Sequence, residues 1–491
     1  MPPPLALALT LLFIGYLLHR DSREEPRVSS AVWIPIIWLL INGSRQVSQW
    51  VESGGPFFLA QRLEEGNPID QAVYGALIVA GVCVIASRRV QVGEIIKNNL
   101  WITLFLLFEG FSVFWSDLPF VTLKRWVKAL GDPVMVLVLW SDPFPVRAVT
   151  ATIKRCAYVL VSLSILFCKY YENLGIAYDT WGKLQYTGVT TNKNLLGYLL
   201  FVFGLFFVAA FVSRRDPHHD ERNRVRSDQV INILFLVMIG WLLQIANSKT
   251  ATLSLTVGIA VIVASRFAAV RRHFWSYTLA AILLVTVSDE LFSVKSAILE
   301  ASGRDTTFTG RTGLWETLLQ EPINPLIGVG YASFWLGERL TKFWEMYPTS
   351  PPIEAHNGYL EVYLNLGLIG VCLITGVLWR GLRTVRSKMD ASLSLSMSET
   401  HNDRIFGTFG IAYGVAYLFY NVTEATFQGL NFLWVIFLTL AFNSRQTRKP
   451  VGASRGGSER PDGTNASNDA LPNKQGVVDE PSTDFITRAG L

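Results

Sequence analysis

Long runs of apolar residues, separated by short polar connections, are the dominant pattern along this chain. Each run has about 15–20 residues, close to the length that a helix needs to cross the hydrocarbon core of a membrane. A soluble protein of this size would interrupt such runs with polar residues at helical spacing. The pattern therefore predicts an all-α, polytopic transmembrane helix bundle with 11 to 13 spans. The candidate spans are residues 4–18, 31–42, 69–87, 100–116, 127–141, 155–169, 194–213, 230–247, 251–267, 274–289, 358–379, 405–421 and 429–443.

The positions of Arg and Lys between these runs predict the orientation of the bundle. If thirteen spans alternate, the connections rich in Arg and Lys all fall on one side, which is the cytoplasmic side by the positive-inside rule. The other side then receives the longest connection, residues 290–357. The chain thus divides into a transmembrane bundle over 1–443, which includes this large external loop, and a C-terminal segment over 444–491. That segment is rich in Ser, Gly, Asn, Asp and Pro, which predicts a disordered cytoplasmic tail.

Composition and charge exclude some classes of ligand and cross-link. Half of the 491 residues are hydrophobic, 16% are charged, and the mean hydropathy is +0.32. The net charge of +5 would suggest nucleic acid in a soluble protein, but here the basic residues lie between spans and are interpreted as topology signals. The four cysteines form no CxxC pair, so neither a zinc site nor a disulfide framework is predicted.

Basic residues at the predicted external ends of the spans are candidate functional residues. Cations at this depth cost energy unless they meet an anion, and the obvious anion at a membrane surface is a phosphate, such as a lipid-linked pyrophosphate. Arg125, Lys193, Lys249 and Arg311 are all placed in this way. The guanidinium of Arg presents a planar fork to phosphate oxygens, and Lys193 lies where a helix N-terminus would offer free N–H groups.

His356 is the one histidine among six that is predicted to be external. An ordinary histidine pKa of about 6.5 suits proton transfer near neutral pH, and an apolar helix begins directly after this residue. All five candidates also have ordinary structural explanations as helix caps, interfacial anchors, surface ion pairs or a structural histidine. Taken one by one, the residues leave both explanations open.

Two absences narrow the chemistry further. The predicted external segments contain no DxD-type carboxylate pair for a divalent metal. The chain contains no Gly-rich phosphate loop of the kind that binds nucleotides. No metal and no cofactor is therefore predicted.

Six segments follow one another in an order that is typical of a known family. They are Trp115-Ser-Asp-Leu-Pro…Leu-Lys-Arg125, Thr191-Asn-Lys-Asn-Leu-Leu-Gly197, Ser248-Lys-Thr-Ala-Thr-Leu253, Gly310-Arg-Thr…Trp315, Gly328-Val-Gly-Tyr-Ala-Ser-Phe334 and His356-Asn-Gly-Tyr-Leu-Glu…Leu-Gly-Leu368. With these segments the chain resembles the O-antigen ligase and O-antigen polymerase superfamily of bacterial membrane glycosyltransferases. The resemblance covers residues 110–380 and is greatest to the exopolysaccharide-polymerase branch.

The resemblance implies a metal-independent glycosyltransferase of the bacterial inner membrane, with a periplasmic active face and the periplasmic loop at 290–357. It implies an undecaprenyl-pyrophosphate-linked glycan donor and a glycan or lipid A-core acceptor, in O-antigen (lipopolysaccharide) or exopolysaccharide biosynthesis. Both a ligase and a polymerase fit this description. Polysaccharide assembly and chain-length proteins would be the partners, and no nucleic acid is expected.

The resemblance also assigns roles to residues. His356 corresponds to a histidine that acts as general base or orients the acceptor, and Arg311 to an arginine that holds the pyrophosphate. Lys249, Arg125 and Lys193 would complete the pyrophosphate site, although Lys249 stands where many members carry Arg and so lacks the bidentate fork. Two alternatives stay open: a flippase or transporter for lipid-linked oligosaccharides, and a non-catalytic subunit of a polysaccharide export complex.

Overall fold

The predicted spans coincide with helices throughout the computed structural model, which describes residues 1–51, 66–179, 182–213, 222–276, 311–394 and 401–443. The predicted span 274–289 lies, apart from its first three residues, outside the described residues. Residues 290–310 of the predicted loop and the predicted tail 444–491 also lie outside them. Within the described ranges, six helices are long and apolar enough to cross a membrane, and four shorter helices are apolar as well. The all-α, polytopic membrane fold is therefore confirmed.

The described part of the first 170 residues is helical almost throughout. The elements are α1 (Pro3–Glu24), α2 (Trp33–Asn42), α3 (Val47–Val51), α4 (Pro68–Ser87), α5 (Val92–Asn98), α6 (Leu100–Phe111), α7 (Pro119–Ala129), α8 (Gly131–Trp140) and α9 (Pro145–Tyr170). Short 3-10 helices at Ser30–Val32 and Ser112–Phe114 extend α2 and α6. The span predicted at 127–141 is thus built from two helices, α7 and α8, that meet at Leu130.

The rest of the described chain adds one small hairpin and the helices that carry the candidate site. The elements are α10 (Glu172–Gly175), β1 (Ile176–Tyr178), β2 (Leu184–Tyr186), α11 (Lys193–Val212), α12 (Arg222–Ala246), α13 (Lys249–Ala264), α14 (Ala268–Arg272), α15 (Arg311–Leu319), α16 (Gly337–Met346), α17 (Gly358–Ser394), α18 (His401–Tyr420) and α19 (Phe432–Ala441). Strands β1 and β2 are antiparallel, with Ile176 opposite Tyr186.

The most apolar helices form the centre of the bundle. Every residue from 196 to 207 in α11 and from 432 to 441 in α19 is buried, so these helices are covered by protein on all sides. In α1 and α4, by contrast, only 17% of the apolar window is buried, and the remaining apolar surface is available to lipid. A helix that is apolar all round belongs in a core or a membrane, and this bundle contains both kinds.

A kink in α17 shapes the outer part of the bundle. Gly367 has a φ of 62° inside the helix, and a Cβ at this position would lie 2.3 Å from the backbone carbon of Leu326. The interrupted turn is bonded instead to segment 325–330, because Leu368 N donates to Pro325 O at 2.9 Å and Gly330 N donates to Asn365 O at 2.8 Å. The glycine lets a piece of the large loop insert against a membrane helix.

The inserted part of the loop also forms hydrogen bonds with the connection between α6 and α7. The indole of Trp115 donates to Ile327 O at 3.0 Å, and Tyr331 N donates to the hydroxyl of Ser112 at 2.8 Å. Asp117 N adds a bond to Val329 O at 3.3 Å. Two of the family-like segments, around Trp115 and around Val329, therefore contact each other directly.

Candidate active site

Three distant parts of the chain bring Arg311, His356 and two glutamates together. Nη2 of Arg311 lies 3.1 Å from Oε1 of Glu424. Nδ1 of His356 lies 2.9 Å from Oε1 of Glu354 and 3.5 Å from Oε2 of Glu424. We call Arg311, Glu354, His356 and Glu424 the His356 cluster. The carboxylate of Glu424 thus contacts both of the residues to which the family resemblance assigns the chemistry.

A tight turn between α18 and α19 presents Glu424. The side-chain oxygen of Asn421 accepts bonds from Thr426 N at 3.0 Å and from the Thr426 hydroxyl at 2.9 Å, which closes the turn. Arg311 also donates through Nη1 to the carbonyl of Thr423. Because Gly358 N donates to Asn421 O at 2.8 Å, this turn is joined to the start of α17.

His356 occupies a constrained backbone position. Its φ of 49° lies in the left-handed region, which is uncommon for a residue with a side chain. The next residue, Asn357, accepts the N–H groups of Tyr359 and Leu360 at 3.0 and 3.1 Å and so caps α17. The start of a membrane helix therefore fixes the place of His356, as the sequence predicts.

The oppositely charged groups of the His356 cluster keep each other ionised. Burial alone would raise the pKa of Glu424, whose side chain is only 8% exposed, but His356 and Arg311 outweigh burial and lower this pKa. Burial alone would lower the pKa of His356, but the neighbouring Glu354 and Glu424 raise it to about 9. The His356 ring therefore carries a proton at neutral pH, unlike the ordinary histidine considered from the sequence.

The helix that Lys249 begins contacts the turn that carries Glu424. Lys249 is the first residue of α13 and is exposed, and its side chain makes no hydrogen bond or ion pair with the part of the chain that the structure describes. The hydroxyl of the following residue, Thr250, accepts a bond from the Thr423 hydroxyl at 3.3 Å. The carbonyl of Thr423 accepts a bond from Arg311, so Arg311 and the first turn of α13 contact the same residue.

Arg125 and Lys193 lie on other elements. Arg125, in α7, donates to the carbonyl of Ala332 in the inserted loop. Lys193 is the first residue of α11, and the side chain of Asn192 already accepts the N–H groups of Asn194 and Leu195, at 3.0 and 2.9 Å. Two of the N–H groups expected to be free for an anion are thus used in the cap. Arg125 is thus bound to the inserted loop at Ala332, and Lys193 follows the Asn192 cap at the start of α11.

Glu424 is the member of the cluster that sequence reasoning missed. It is the only charged residue of the predicted external connection 422–428, between two strongly apolar spans. A lone carboxylate in such a short connection is a signal that could have found it, because an unpaired charge at this depth is costly. Its partners come from segments more than 60 residues away, so their identity depends on the fold.

The cluster also contains a set of atoms that a small cation would accept as ligands. One atom each from Glu354, His356 and Glu424 lie within 4.8 Å of one another. The guanidinium of Arg311 already neutralises Glu424 from the other side and would repel a divalent cation placed between them. The pairing of Glu424 with Arg311 therefore argues against a divalent cation at this position, and the absence of a metal stays a prediction.

Comparison with known proteins is consistent with the motifs. Residues 233–375 match the model of the O-antigen ligase family, a range that includes Lys249, Arg311 and His356. The chain is similar to the exopolysaccharide production protein ExoQ of Rhizobium meliloti (strain 1021), with 26% identity in an alignment that covers 57% of this chain and 64% of the relative. The chain thus spans slightly less than two thirds of that relative's length. These matches confirm the resemblance to the O-antigen ligase superfamily and to its exopolysaccharide branch.

Proposed function

We propose that this protein is a metal-independent glycosyltransferase of the bacterial inner membrane, with its active face toward the periplasm. It transfers or polymerises glycan units from an undecaprenyl-pyrophosphate carrier during the biosynthesis of a surface polysaccharide. The similarity to an exopolysaccharide production protein supports the exopolysaccharide branch. The O-antigen ligase match supports a lipid-linked donor and a polysaccharide acceptor.

The observation that carries this proposal is the shared contact of Arg311 and His356 with Glu424. The group combines a fork-shaped cation, a protonated imidazole and carboxylates at helix ends that the charge distribution predicts to be external. Lys249 adds an exposed cation at the start of α13, whose second residue, Thr250, bonds to the turn that carries Glu424. A transferase with a pyrophosphate leaving group needs cations for that group and a carboxylate for the proton of the acceptor.

In the proposed reaction, the acceptor hydroxyl oxygen forms a bond to the anomeric carbon while the bond from that carbon to the phosphate oxygen breaks. The electron pair of the broken bond stays on the pyrophosphate, where Arg311 and Lys249 stabilise the charge. His356 orients the acceptor through Nε2–H, because its ring is already protonated at neutral pH. The hydroxyl proton passes to the carboxylate of Glu354, and the in-line displacement inverts the anomeric centre.

Purified protein in liposomes should transfer glycan from an undecaprenyl-pyrophosphate-linked donor to an added acceptor. Product length by gel or mass spectrometry will distinguish a polymerase from a ligase. Because the proposed chemistry uses side chains alone, 5 mM EDTA — roughly a hundredfold excess over trace metal — should leave the rate within about twofold.

Failure of this assay would identify the alternative. Movement of the donor across the bilayer without product would show a flippase, and neither movement nor product would indicate a non-catalytic subunit. Loss of activity in EDTA that added Mg²⁺ or Mn²⁺ restores would contradict metal independence and would assign a cation to Glu354, His356 and Glu424.

The pH dependence of transfer should depend on Glu424. In the wild type, transfer should fall as pH rises through about 9, where the pKa of His356 lies and the ring loses its proton. Glu424→Gln removes one carboxylate that raises this pKa, so the fall should occur at lower pH. Initial rates at saturating donor from pH 6 to roughly 10, a range that spans both histidine states, measure the shift.

Glu316→Gln is the matched control for this prediction, since Glu316 is an exposed glutamate on the same helix as Arg311. Its pH profile should follow the wild type. Coincident profiles for wild type and Glu424→Gln would show that Glu424 does not set the charge of His356. A rate that rises through pH 9 instead would make neutral His356 the proton acceptor.

A further inference from the structure

The carboxylate of Glu361 is the centre of a hydrogen-bond network that reaches the backbone next to His356. It accepts the indole N–H of Trp335 at 3.0 Å and the side-chain N–H of Asn365 at 3.0 Å. It also accepts the backbone N–H of Ala355, the residue before His356, at 2.8 Å. The proposed reaction assigns no role to Glu361, although this residue belongs to the family-like segment that starts at His356.

The direction of these bonds is fixed. The side-chain oxygen of Asn365 accepts Ser333 N at 3.0 Å and Phe334 N at 3.1 Å. Its NH₂ group must therefore face Glu361, and only an acceptor can face it in return. An amide in place of this carboxylate would turn its own NH₂ toward either Asn365 or Ala355, and one bond would be lost.

Trp315 holds the other backbone group of Ala355. Its indole N–H donates to Ala355 O at 2.8 Å. Trp315 lies one helical turn after Arg311 on α15, and Ala355 is completely buried. Both polar backbone groups of the residue before His356 are thus bound, one to α17 and one to the helix that carries Arg311.

We propose that Glu361 and Trp315 are positioning residues, which set the backbone of Ala355 so that the ring of His356 stays between Glu354 and Glu424. This inference rests on the proposed role of His356 in glycosyl transfer. It explains why segments around Trp315, Phe334 and His356 occur together in one chain. Each segment supplies one part of a single network, and the network fixes the left-handed backbone of His356.

Glu361→Gln in the full-length protein tests the proposal through the protonation of His356. Diethylpyrocarbonate reacts with neutral imidazole, so peptide-resolved mass spectrometry of His356 labelling against pH reports its titration without requiring turnover. Three charged residues face this ring: Glu354 from its own loop, Glu424 from the turn after α18, and Arg311 from α15. Wild type should label with a midpoint near pH 9. The variant should shift toward pH 6.5, roughly the value of a free histidine, as the ring leaves its carboxylates.

Trp315→Phe provides a second variant, which keeps an aromatic ring and removes only the donor to Ala355. It should shift the labelling midpoint in the same direction, and it decides the question if Glu361→Gln does not insert in the membrane. Trp140→Phe is the matched control, since its indole also donates to a backbone carbonyl, Thr439 O at 2.9 Å, on the opposite half of the bundle. Its midpoint should equal that of the wild type.

The transfer assay adds an independent measurement. Both variants should lower kcat by about 10–100-fold with little change in donor KM, as expected when a reacting group is displaced by roughly 1 Å. A folded variant whose His356 labels with the wild-type midpoint would overturn the positioning role. Absence of transfer by the wild type itself would instead overturn the proposed function, while the labelling result would still report on the network.

Discussion

Replacing Arg311 by alanine is expected to lower kcat/KM for the lipid-linked donor by about 10²–10³-fold, the usual effect of removing one donor that faces developing charge. Arg311 is the only member of the His356 cluster whose side chain is a permanent cation. Its guanidinium lies 3.1 Å from Glu424 and also donates to the carbonyl of Thr423 in the turn after α18. Initial rates of transfer in liposomes, with donor concentration varied, measure the loss.

A structural effect of the same substitution has to be separated from the catalytic one. Arg311→Ala leaves the carboxylate of Glu424, only 8% exposed, without its guanidinium partner. Breaking a buried pair typically costs about 3–5 kcal/mol, and the protonated His356 at 3.5 Å from Glu424 offsets part of that cost, whereas removing both charges costs much less. The double variant Arg311→Ala with Glu424→Gln should therefore regain most of the thermal stability but none of the activity. Recovery of transfer in the double variant would show that Arg311 acts only on the fold.

Two further variants test the chemistry of Arg311. Arg311→Lys keeps the charge but loses the planar fork, so its rate should lie between those of wild type and Arg311→Ala. Arg339→Ala is the matched control, because Arg339 also pairs with a carboxylate of the external region, Asp117 at 2.9 Å, but outside the cluster. Near-normal transfer by Arg311→Ala, or an equal loss in Arg339→Ala, would remove the leaving-group assignment.

The transmembrane part of the fold could be predicted because the local sequence encodes each span as an apolar run of sufficient length. The helices α4 and α11 coincide closely with the predicted spans 69–87 and 194–213, whereas α9 begins ten residues before the predicted span 155–169. The break at Leu130 was not predicted, although Gly131, Asp132 and Pro133 follow it directly and are residue types that interrupt or begin helices. The kink at Gly367 was also missed, since its cause is the distant segment 325–330 that bonds to the opened helix.

The candidate site was predictable only in part. Arg311 and His356 stand in segments that resemble a family, and both enter one cluster in the structure. Glu424 was not predicted, because its role arises when the turn after α18 meets two parts of the loop more than 60 residues earlier. The charge of His356 was likewise not predictable, since its pKa follows from the distances to Glu354 and Glu424 rather than from local sequence. Local sequence specifies helices and motifs, whereas the fold specifies partners.

His356→Ala is expected to lower kcat by about 10²–10³-fold while the protein stays inserted and folded. The ring is the group of the cluster that can hold both the acceptor and the carboxylates, through Nε2 and Nδ1 respectively. Its removal leaves Glu424 paired with Arg311, so the stability cost should be small compared with that of Arg311→Ala. Single-turnover rates, together with thermal unfolding of each variant, separate the two effects.

His356→Gln distinguishes orientation from proton transfer at this position. A glutamine side chain can donate a hydrogen bond to the acceptor but does not take up a proton near neutral pH. If His356 orients the acceptor, His356→Gln should be faster than His356→Ala by about tenfold, the value of one recovered hydrogen bond of roughly 1.4 kcal/mol. His273→Ala, at an exposed histidine on the predicted cytoplasmic side, is the control and should transfer at the wild-type rate. Equal inactivity of the Gln and Ala variants at His356 would show that the His356 ring accepts the proton of the acceptor hydroxyl. Glu354 and Glu424 would then stabilise the imidazolium that forms.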